Sequence, residues 1–319
     1  MSVSREAVIY AYRYLLNREP ENEGVISDNV IADNWSQLRQ TFLDSDEFRQ
    51  HEPIELLDSR SLIGRHLDAD QVPIDISATP EQMRAMLDRI AACWRAFGET
   101  EPHWSVLAND IFKVDHLADH LDAFFEHGQH DVQTLLRYVS RAGFPLIFDR
   151  ALDFGCGVGR MTVNLADYAR KTVGADISPG HLREAERAVK HRNLSNVELV
   201  ELGAIEDIDN LGTFDLIISR IVLQHNPPPV MAAIYRRLLQ RLRPAGIAVI
   251  QMPTFIQGQS FEATSYLESQ IIEMEMNSLP QREIFKIISE EHCITLEVRE
   301  DDHLGEIDGL SHTFAVMRL

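Results

Sequence analysis

A glycine-rich loop between a predicted strand and a predicted helix constrains this chain more than any other feature. Residues 152–160 read Leu-Asp-Phe-Gly-Cys-Gly-Val-Gly-Arg, after the apolar residues of 146–152 and before the helical pattern that begins at Met161. Such a loop lets backbone N–H groups and a helix N-terminus approach a bound ligand closely. A dinucleotide fingerprint requires G-x-G-x-x-G, whereas this loop reads D-x-G-x-G-x-G. The spacing therefore disfavours a nicotinamide dinucleotide.

Three later segments follow the loop in a familiar order. Asp176 ends a second apolar strand, and Ser178 and Pro179 then open a helix. Phe-Asp-Leu-Ile-Ile-Ser at 214–219 precedes Leu-Gln-His-Asn-Pro at 223–227, and Leu-Arg-Pro-Ala-Gly-Ile follows at 242–247. Together the segments resemble the class I S-adenosylmethionine-dependent methyltransferases. The resemblance implies this activity, with S-adenosylmethionine as the cofactor.

The strand pattern predicts an α/β fold. Predicted strands at 151–154, 172–175, 197–202, 214–219 and 247–252 alternate with helical patterns, which indicates right-handed parallel βαβ units. Cys293–Glu300 and His312–Leu319 also alternate like strands but have no helix between them. The resemblance implies a seven-stranded, mostly parallel sheet of order 3-2-1-4-5-7-6. Its last strand should be antiparallel, with helices on both faces.

The composition of the chain changes along its length. We predict a helical N-terminal domain at 1–52, a linker at 53–78 with a helix near 54–62, a helical lid at 79–145 and the methyltransferase domain at 146–319. The lid should begin at a capping box of Thr79 and Gln82, and Gly98 should end its first helix. The resemblance implies that such helices cover the cofactor and shape the substrate pocket.

The N-terminal segment carries a resemblance of its own. Tyr-Arg-Tyr-Leu-Leu-Asn-Arg-Glu-Pro at 12–20, with Phe-Leu-Asp-Ser-Asp-Glu-Phe-Arg at 42–49, resembles a short helical domain of bacterial surface-polysaccharide and glycosyl-transfer proteins. The resemblance implies a glycan context. The alternative is a helical hairpin used only for packing or dimerisation. We therefore expect residues 1–52 to contact either a glycan-pathway protein or a second copy of the chain.

The charge balance bears on the partners. With 30 basic against 50 acidic residues and a net charge of −20, the chain should bind neither nucleic acid nor an anionic membrane. No signal peptide and no apolar run of about 18 residues is visible. Cys93, Cys156 and Cys293 lie far apart, which indicates a reducing, cytoplasmic compartment. His116 and His120 have no third ligand at a useful spacing, so we predict no metal site.

The resemblance assigns cofactor contacts to the loop and to the strand ends. The loop should hold the methionine half, an acid after the second strand the ribose, and the residues after the third strand the adenine. Ala204 stands where the family commonly has an acid. The alternative is a tight turn without a ligand. The predicted cofactor residues are Asp153, Gly155, Gly157, Gly159, Arg160, Asp176, Ile177, Ala204, Ile205 and Ser219.

Two histidines are candidates for the general base. His225 follows the fourth strand, and a neutral imidazole can take a hydroxyl proton near pH 7. His312 should lie across the pocket from it, because an antiparallel last strand would begin at the active-site edge. The alternatives are a histidine that caps a helix or packs on the lid, and an ordinary hairpin-end histidine.

Three further residues are candidates for substrate contact. Arg220 should face either a substrate anion or a surface carboxylate. Arg282 lies at a helix start that Ser278 and Gln281 are expected to cap, where an anion is favoured, and a plain helix start is the alternative. Trp104 should cover the pocket or lie in the core.

These residues lead to one predicted function. The chain should transfer a methyl group from S-adenosylmethionine to the oxygen of a sugar or glycan-linked acceptor. Methylation of another small metabolite, at nitrogen or oxygen, is the first alternative. A non-catalytic cofactor-binding scaffold is the second.

Overall fold

The computed structural model describes residues 3–16, 18–30, 35–47, 73–269, 274–305 and 307–319. The chain forms two compact units, residues 1–70 and 71–319. Of the predicted linker, residues 53–72 and the helix expected near 54–62 lie outside the described residues. Residues 73–78 belong to the second unit, where the Asp75 N–H donates to the Phe261 carbonyl oxygen at 2.9 Å. The domain boundaries at 52, 78 and 145 stay predictions.

The first unit is helical, as the sequence pattern predicts. Its helices are α1 (Arg5–Leu15), α2 (Glu23–Val30) and α3 (Trp35–Leu43). The Ser4 side chain caps α1 by accepting from the Ala7 N–H. The Tyr12 and Phe42 rings meet edge to face at 4.8 Å. The small core is completed by Val3, Ala7, Val8, Leu16, Ile26 and Leu38.

The second unit is built on one seven-stranded sheet. Its order is β3-β2-β1-β4-β5-β7-β6, and β7 runs antiparallel to both neighbours while the other pairs are parallel. The predicted order and the antiparallel last strand are confirmed. The strands are β1 (Phe148–Phe154), β2 (Ala169–Asp176), β3 (Val197–Glu201), β4 (Phe214–Ser219), β5 (Leu242–Ile256), β6 (Cys293–Asp301) and β7 (Gly309–Arg318).

Helices cover both faces of this sheet. One face packs against α4, α8 and α10, and the other against α5 and α6. Since both faces of the central strands are covered, the inner parts of these strands are buried and apolar, as at Leu216–Ile218 of β4 and Ile247–Ile250 of β5. The helices are α4 (Pro80–Thr100), α5 (Leu117–Arg141), α6 (Thr162–Leu165), α7 (Pro179–His191), α8 (Pro228–Gln240), α9 (Ala263–Glu268) and α10 (Gln281–Glu290). None of the described helices combines the length and the apolar character that a membrane span requires.

The helix ends test three of the predicted signals. The capping box of Thr79 and Gln82 is confirmed, with both reciprocal hydrogen bonds formed. The predicted stop at Gly98 is wrong, because α4 continues to Thr100. Gly98 permits close packing of two helices, because it lies against Gly180 of α7. A Cβ on Gly180 would lie 2.5 Å from the Gly98 carbonyl carbon. The predicted cap at Ser278 is also wrong, since its hydroxyl donates to Gln259 and α10 begins without a side-chain cap.

Candidate active site

A deep cavity opens at the carboxyl edge of β1, β2 and β4. Helix α4 closes one side with Leu87, Ile90 and Trp94, so the predicted lid helix forms part of the wall. The remaining wall comes from the strand ends and their loops, at 105–106, 153–157, 160–161, 175–177, 181, 202, 204–205, 208, 220–222, 225–226 and 234.

The glycine loop forms the floor of the cavity. Gly155 and Gly157 have φ values of +72° and +52°, a region that side chains with a Cβ adopt at a cost. A Cβ on Gly157 would lie 2.7 Å from Cγ2 of Val106, and one on Gly155 would collide with Val222. Gly159 does not line the cavity; a Cβ there would meet the Cβ of Ala185 at 3.1 Å. The third glycine therefore permits close packing of α7 rather than ligand contact.

Asp153 is the next-to-last residue of β1 and is fully buried. The Thr162 hydroxyl donates to its Oδ2 at 2.6 Å, whereas Oδ1 has no hydrogen-bond partner among the residues that the structure describes. Burial raises the pKa of the Asp153 carboxyl to about 6, because the charged form loses its hydration. A buried carboxylate oxygen that lines a cavity and has no partner is suited to accept from a ligand donor.

Asp176 ends β2 and orders the loop beside it. Its Oδ2 accepts from the Gly157 N–H at 2.8 Å, and its Oδ1 accepts from the Ser178 N–H at 2.9 Å. Ile177, Ala204 and Ile205 line the cavity as predicted. Ser219 does not, because its buried hydroxyl donates to the Phe154 carbonyl oxygen at 3.0 Å. Ser219 therefore ties β4 to the end of β1.

Two arginines in the cavity wall share one carboxylate. Asp131 of α5 lies 2.6 Å from Nη1 of Arg160 and 3.3 Å from Nη2 of Arg220. All three side chains are nearly buried, with 5 to 13% of their surface exposed. Among the described residues, the Nε atoms of both arginines lack a hydrogen-bond partner. Arg160, which lies deepest and meets this one carboxylate with a five-donor guanidinium, is the one suited to an anionic ligand group.

His225 lies in the cavity wall, as predicted. Its Nδ1 lies 2.8 Å from the Glu275 carbonyl oxygen, a contact that requires a proton on Nδ1 and leaves Nε2 as an acceptor. Its ring is 5.1 Å from that of Trp94. Burial lowers the pKa of His225 to about 4. The imidazole is therefore neutral at pH 7 and only weakly basic.

His312 does not line this cavity, which corrects the expectation that it faces His225 across the pocket. Its Nδ1 lies 2.9 Å from the Thr254 hydroxyl, and the Gln281 amide is also within reach. Side chains alternate along β7, so His312 shares a face with the buried Phe314. Ser311 points to the opposite face and accepts from Gln251 Nε2 at 2.7 Å.

Arg282 and Trp104 are also away from the cavity. The Arg282 side chain is 73% exposed and pairs with Glu283 at 3.2 Å, so a solvated helix start is the correct reading. Trp104 packs on α4, with its ring 6.1 Å from that of Phe97. Its neighbours Ser105 and Val106 line the cavity instead. Within the described residues, no group of three or more metal-ligating side chains forms.

Several cavity residues were missed by the sequence reasoning. Asp131, which does not line the cavity but contacts its residues Arg160 and Arg220, lies on α5 with no motif around it. His181 lines the cavity, and its Nε2 lies 2.8 Å from the Ser105 hydroxyl. Trp94 and Val106 come from the lid segment, whose contacts depend on how it packs. Only Val222 had a signal, since it follows the fourth strand as Arg220 does.

A strained residue lies at the end of β4. Ile221 has a φ of +58°, which is rare for a β-branched side chain. Its N–H donates to Gln251 Oε1 at 2.7 Å, and Gln251 Nε2 donates to Gln224 Oε1 at 3.0 Å. This buried amide network fixes the turn from which Arg220 and Val222 reach the cavity.

Comparison with known proteins agrees with this architecture. Residues 151–246 match the family model described as a methyltransferase domain. The fold is that of the class I methyltransferases. The crystal structure of magnesium protoporphyrin IX methyltransferase from Synechocystis PCC 6803, with bound S-adenosylhomocysteine, has a TM-score of 0.51 at 17% identity. The match covers 72% of this chain and 100% of that one, and at this identity it shows the fold alone.

Sequence relatives match a limited part of the methyltransferase fold. A probable methyltransferase from Aspergillus luteorubrus is 32% identical over 132 residues, which are 37% of this chain and 46% of that protein. A tRNA U34 carboxymethyltransferase from Shewanella loihica is 38% identical over 110 residues, 34% of this chain and 32% of that protein. The chain thus spans less than half the length of these curated relatives.

Proposed function

We propose that this protein is an S-adenosylmethionine-dependent methyltransferase. The observation that carries the proposal is the cavity at the carboxyl edge of the sheet, where Asp153, the loop glycines and Asp176 meet. The methyltransferase-domain match supports it, as do the two cofactor forms bound to magnesium protoporphyrin IX methyltransferase. When bound, the cofactor supplies an electrophilic methyl group on a sulfonium sulfur.

The cavity wall fits the parts of this cofactor. The unpartnered Oδ1 of Asp153 is suited to accept from an ammonium group, and the Arg160 guanidinium is suited to bind a carboxylate. The Asp176 carboxylate is suited to ribose hydroxyls. The surface formed by Ala204 and Ile205 suits an aromatic base.

His225 is the proposed proton acceptor for the nucleophile. With its Nδ1 proton directed at the Glu275 carbonyl oxygen, its Nε2 carries the free lone pair. A pKa of about 4 keeps the imidazole unprotonated but makes proton uptake costly before bond formation begins. His225 therefore acts on a hydroxyl whose acidity rises as its oxygen attacks the methyl group.

A sugar or glycan-linked hydroxyl is the proposed acceptor. The resemblance of residues 1–52 to a domain of polysaccharide-pathway proteins supports it, and the proposed place of action is the cytoplasm. An RNA acceptor is the second candidate, because one relative is named as a tRNA-modifying enzyme. The net charge of −20 disfavours RNA, since binding its backbone depends on basic side chains. Another small metabolite and a non-catalytic scaffold are the remaining alternatives.

Calorimetric titration with S-adenosylmethionine, S-adenosylhomocysteine and NAD tests the cofactor. The two sulfur nucleosides should bind and NAD should not. Gly157→Val should weaken binding at least a hundredfold, because its side chain would collide with Val106. Gly143→Val is the control, because it has the same backbone cost at a φ of +82° but lies at an exposed turn with open space around it, and it should bind normally. Binding of NAD alone, or equal affinity of the two variants, would contradict the proposal.

The pH dependence of turnover tests His225 once an acceptor is in hand. At saturating S-adenosylmethionine, whose ammonium group keeps Asp153 ionised, the neutral His225 imidazole is the active form and its pKa is about 4, so kcat should stay level from about pH 8 down to about 5 and fall below about 4. His225→Asn should keep the cofactor affinity and lose most of the turnover. A variant that turns over at the wild-type rate would remove His225 from the chemistry.

A further inference from the structure

A second, polar cavity lies beside the cofactor cavity, and the two share part of one wall. Within the described residues, Arg220 is the one residue that lines both. The second cavity is formed by α5, the end of β6 and the start of the β6–β7 connection, with β7 contributing one residue. Besides Arg220, its walls carry Thr134, Tyr138, Asp301, His303 and Thr313.

Because Arg220 lines both cavities, the second cavity adjoins the site where an acceptor would meet the cofactor. Arg220 follows β4 directly, and ligands in open α/β sheets bind at the carboxyl ends of the strands. Asp131 contacts the Arg220 guanidinium and so fixes its position. The Arg220 side chain therefore forms a partition between the two cavities. A molecule in the second cavity would therefore adjoin the cofactor without displacing it.

The charge of the second cavity is negative. Asp301 and Asp302 lie in its wall, whereas Glu300 pairs with His312 in the β6–β7 ladder and directs its side chain to the opposite face of the sheet. Its two arginines are already paired with carboxylates, Arg220 with Asp131 and Arg299 with Glu297, each at 3.3 Å. Like charges disfavour an approaching anion. A phosphate group, free or in a nucleic acid, is thus a poor occupant.

The hydrogen-bonding groups favour hydroxyls. The Thr313 hydroxyl donates to Asp301 Oδ2 at 2.8 Å, and the His303 N–H donates to Asp301 Oδ1 at 3.3 Å, so this carboxylate is held in place. Thr134 adds a second hydroxyl and Tyr138 an aromatic ring. Fixed carboxylates beside hydroxyls both accept from and donate to a ligand that carries several hydroxyl groups.

We propose that this second cavity binds the methyl acceptor and that the acceptor is a polyhydroxyl compound without a negative charge, such as a neutral or amino sugar. The inference rests on the proposed function and gives it a substrate class. The acceptor hydroxyl reaches the cofactor cavity past Arg220, which contacts both ligands. Selection against phosphate-bearing sugars and RNA comes from the carboxylates of Asp301 and Asp302.

The test uses the full-length protein saturated with S-adenosylhomocysteine. Methyl α-glucoside, glucosamine, glucose 6-phosphate and a short RNA hairpin are titrated by ligand-observed NMR at concentrations up to about 10 mM, where weak sites with millimolar Kd are seen. The first two probes should bind and the last two should not. Stronger binding of the phosphate sugar or of RNA, or binding of no probe, would overturn the proposal.

A variant that fills the cavity checks the location. Thr134→Trp should weaken sugar binding at least tenfold and leave the affinity for S-adenosylhomocysteine unchanged. Thr295→Trp, at an exposed position of β6, is the matched control, and Thr134→Leu replaces the larger variant if Thr134→Trp does not fold. Unchanged sugar binding in the filled variant would contradict the location. Failure of S-adenosylhomocysteine itself to bind would contradict the proposed function instead.

Discussion

The Asp153 carboxyl has to stay charged in a place that disfavours charge. Its pKa of about 6 in the folded protein lies above the value of about 3.9 in an unfolded chain. The folded state therefore binds the proton more tightly, and the free energy of unfolding falls as pH rises from about 4 to 6. Above pH 6 the ionised carboxyl destabilises the fold by about 3 kcal/mol.

Asp153→Asn should remove this cost. At pH 8 its free energy of unfolding should exceed that of the wild type by about 3 kcal/mol, with the gain absent at pH 4. Urea unfolding at the two pH values measures both. The affinity for S-adenosylmethionine should drop, because an amide accepts from an ammonium group less strongly than a carboxylate.

A surface aspartate provides the control for Asp153→Asn. Asp149 is at the start of β1 with 63% of its side chain exposed, and Asp149→Asn should change stability by less than about 0.5 kcal/mol at either pH. Lower stability of Asp153→Asn at pH 8 would mean that the ionised carboxyl supports the fold of the free protein. Protonation of His225 has the opposite effect on stability, since its folded pKa of about 4 makes the free energy of unfolding rise between about pH 4 and 6.5. This contribution is the same in the wild type, Asp153→Asn and Asp149→Asn, so it cancels in the comparison.

At the level of elements, the sequence predicts the sheet well and the side-chain directions less well. Strand ends are marked by Asp153, Asp176 and Ser219, so the edge that forms the cavity could be found without coordinates. The wrong placement of His312 was avoidable: Phe314 is apolar and buried, and the period of two places His312 on the same face. The buried Ser311 and Thr313 mark the other face.

The helices were harder to predict because their contacts come from distant parts of the chain. Gly98 looks like a helix end in the sequence, but it lies against Gly180 and allows α4 and α7 to approach closely. Asp131 occupies an ordinary position on an amphipathic helix, and only packing brings it to Arg160 and Arg220. Such contacts leave no local signal, since neither partner is unusual at its own position.

For the molecule as a whole, the division into two units leads to a prediction about truncation. Of the described residues, those that line the cavity fall between 87 and 234, and the core beneath it lies within the second unit. Removal of residues 1–70 should therefore leave the affinity for S-adenosylhomocysteine within about threefold of the full-length value. Calorimetry on the two proteins measures this.

A shorter fragment serves as the comparison for that truncation. A chain that begins at residue 146 lacks α4 and α5, and with them Trp94 and Asp131, so it should lose most of its affinity or fail to fold. If the chain lacking residues 1–70 binds as poorly as this fragment, the first unit contributes to the cofactor site.

Arg220 lies between the cavity proposed for the cofactor and the cavity proposed for the acceptor, so the residues of the two cavities can change separately in evolution. The segment shared with other methyltransferases, 151–246, contains most of the cofactor wall, whereas Thr134, Tyr138, His303 and Thr313 lie outside it. Descendants of one ancestor could exchange α5 or the β6–β7 connection and acquire a new acceptor while the inherited cofactor half stayed intact. Arg220 is the exception, because a substitution there alters both halves, and it is the position where a change of acceptor would leave its trace inside the shared segment.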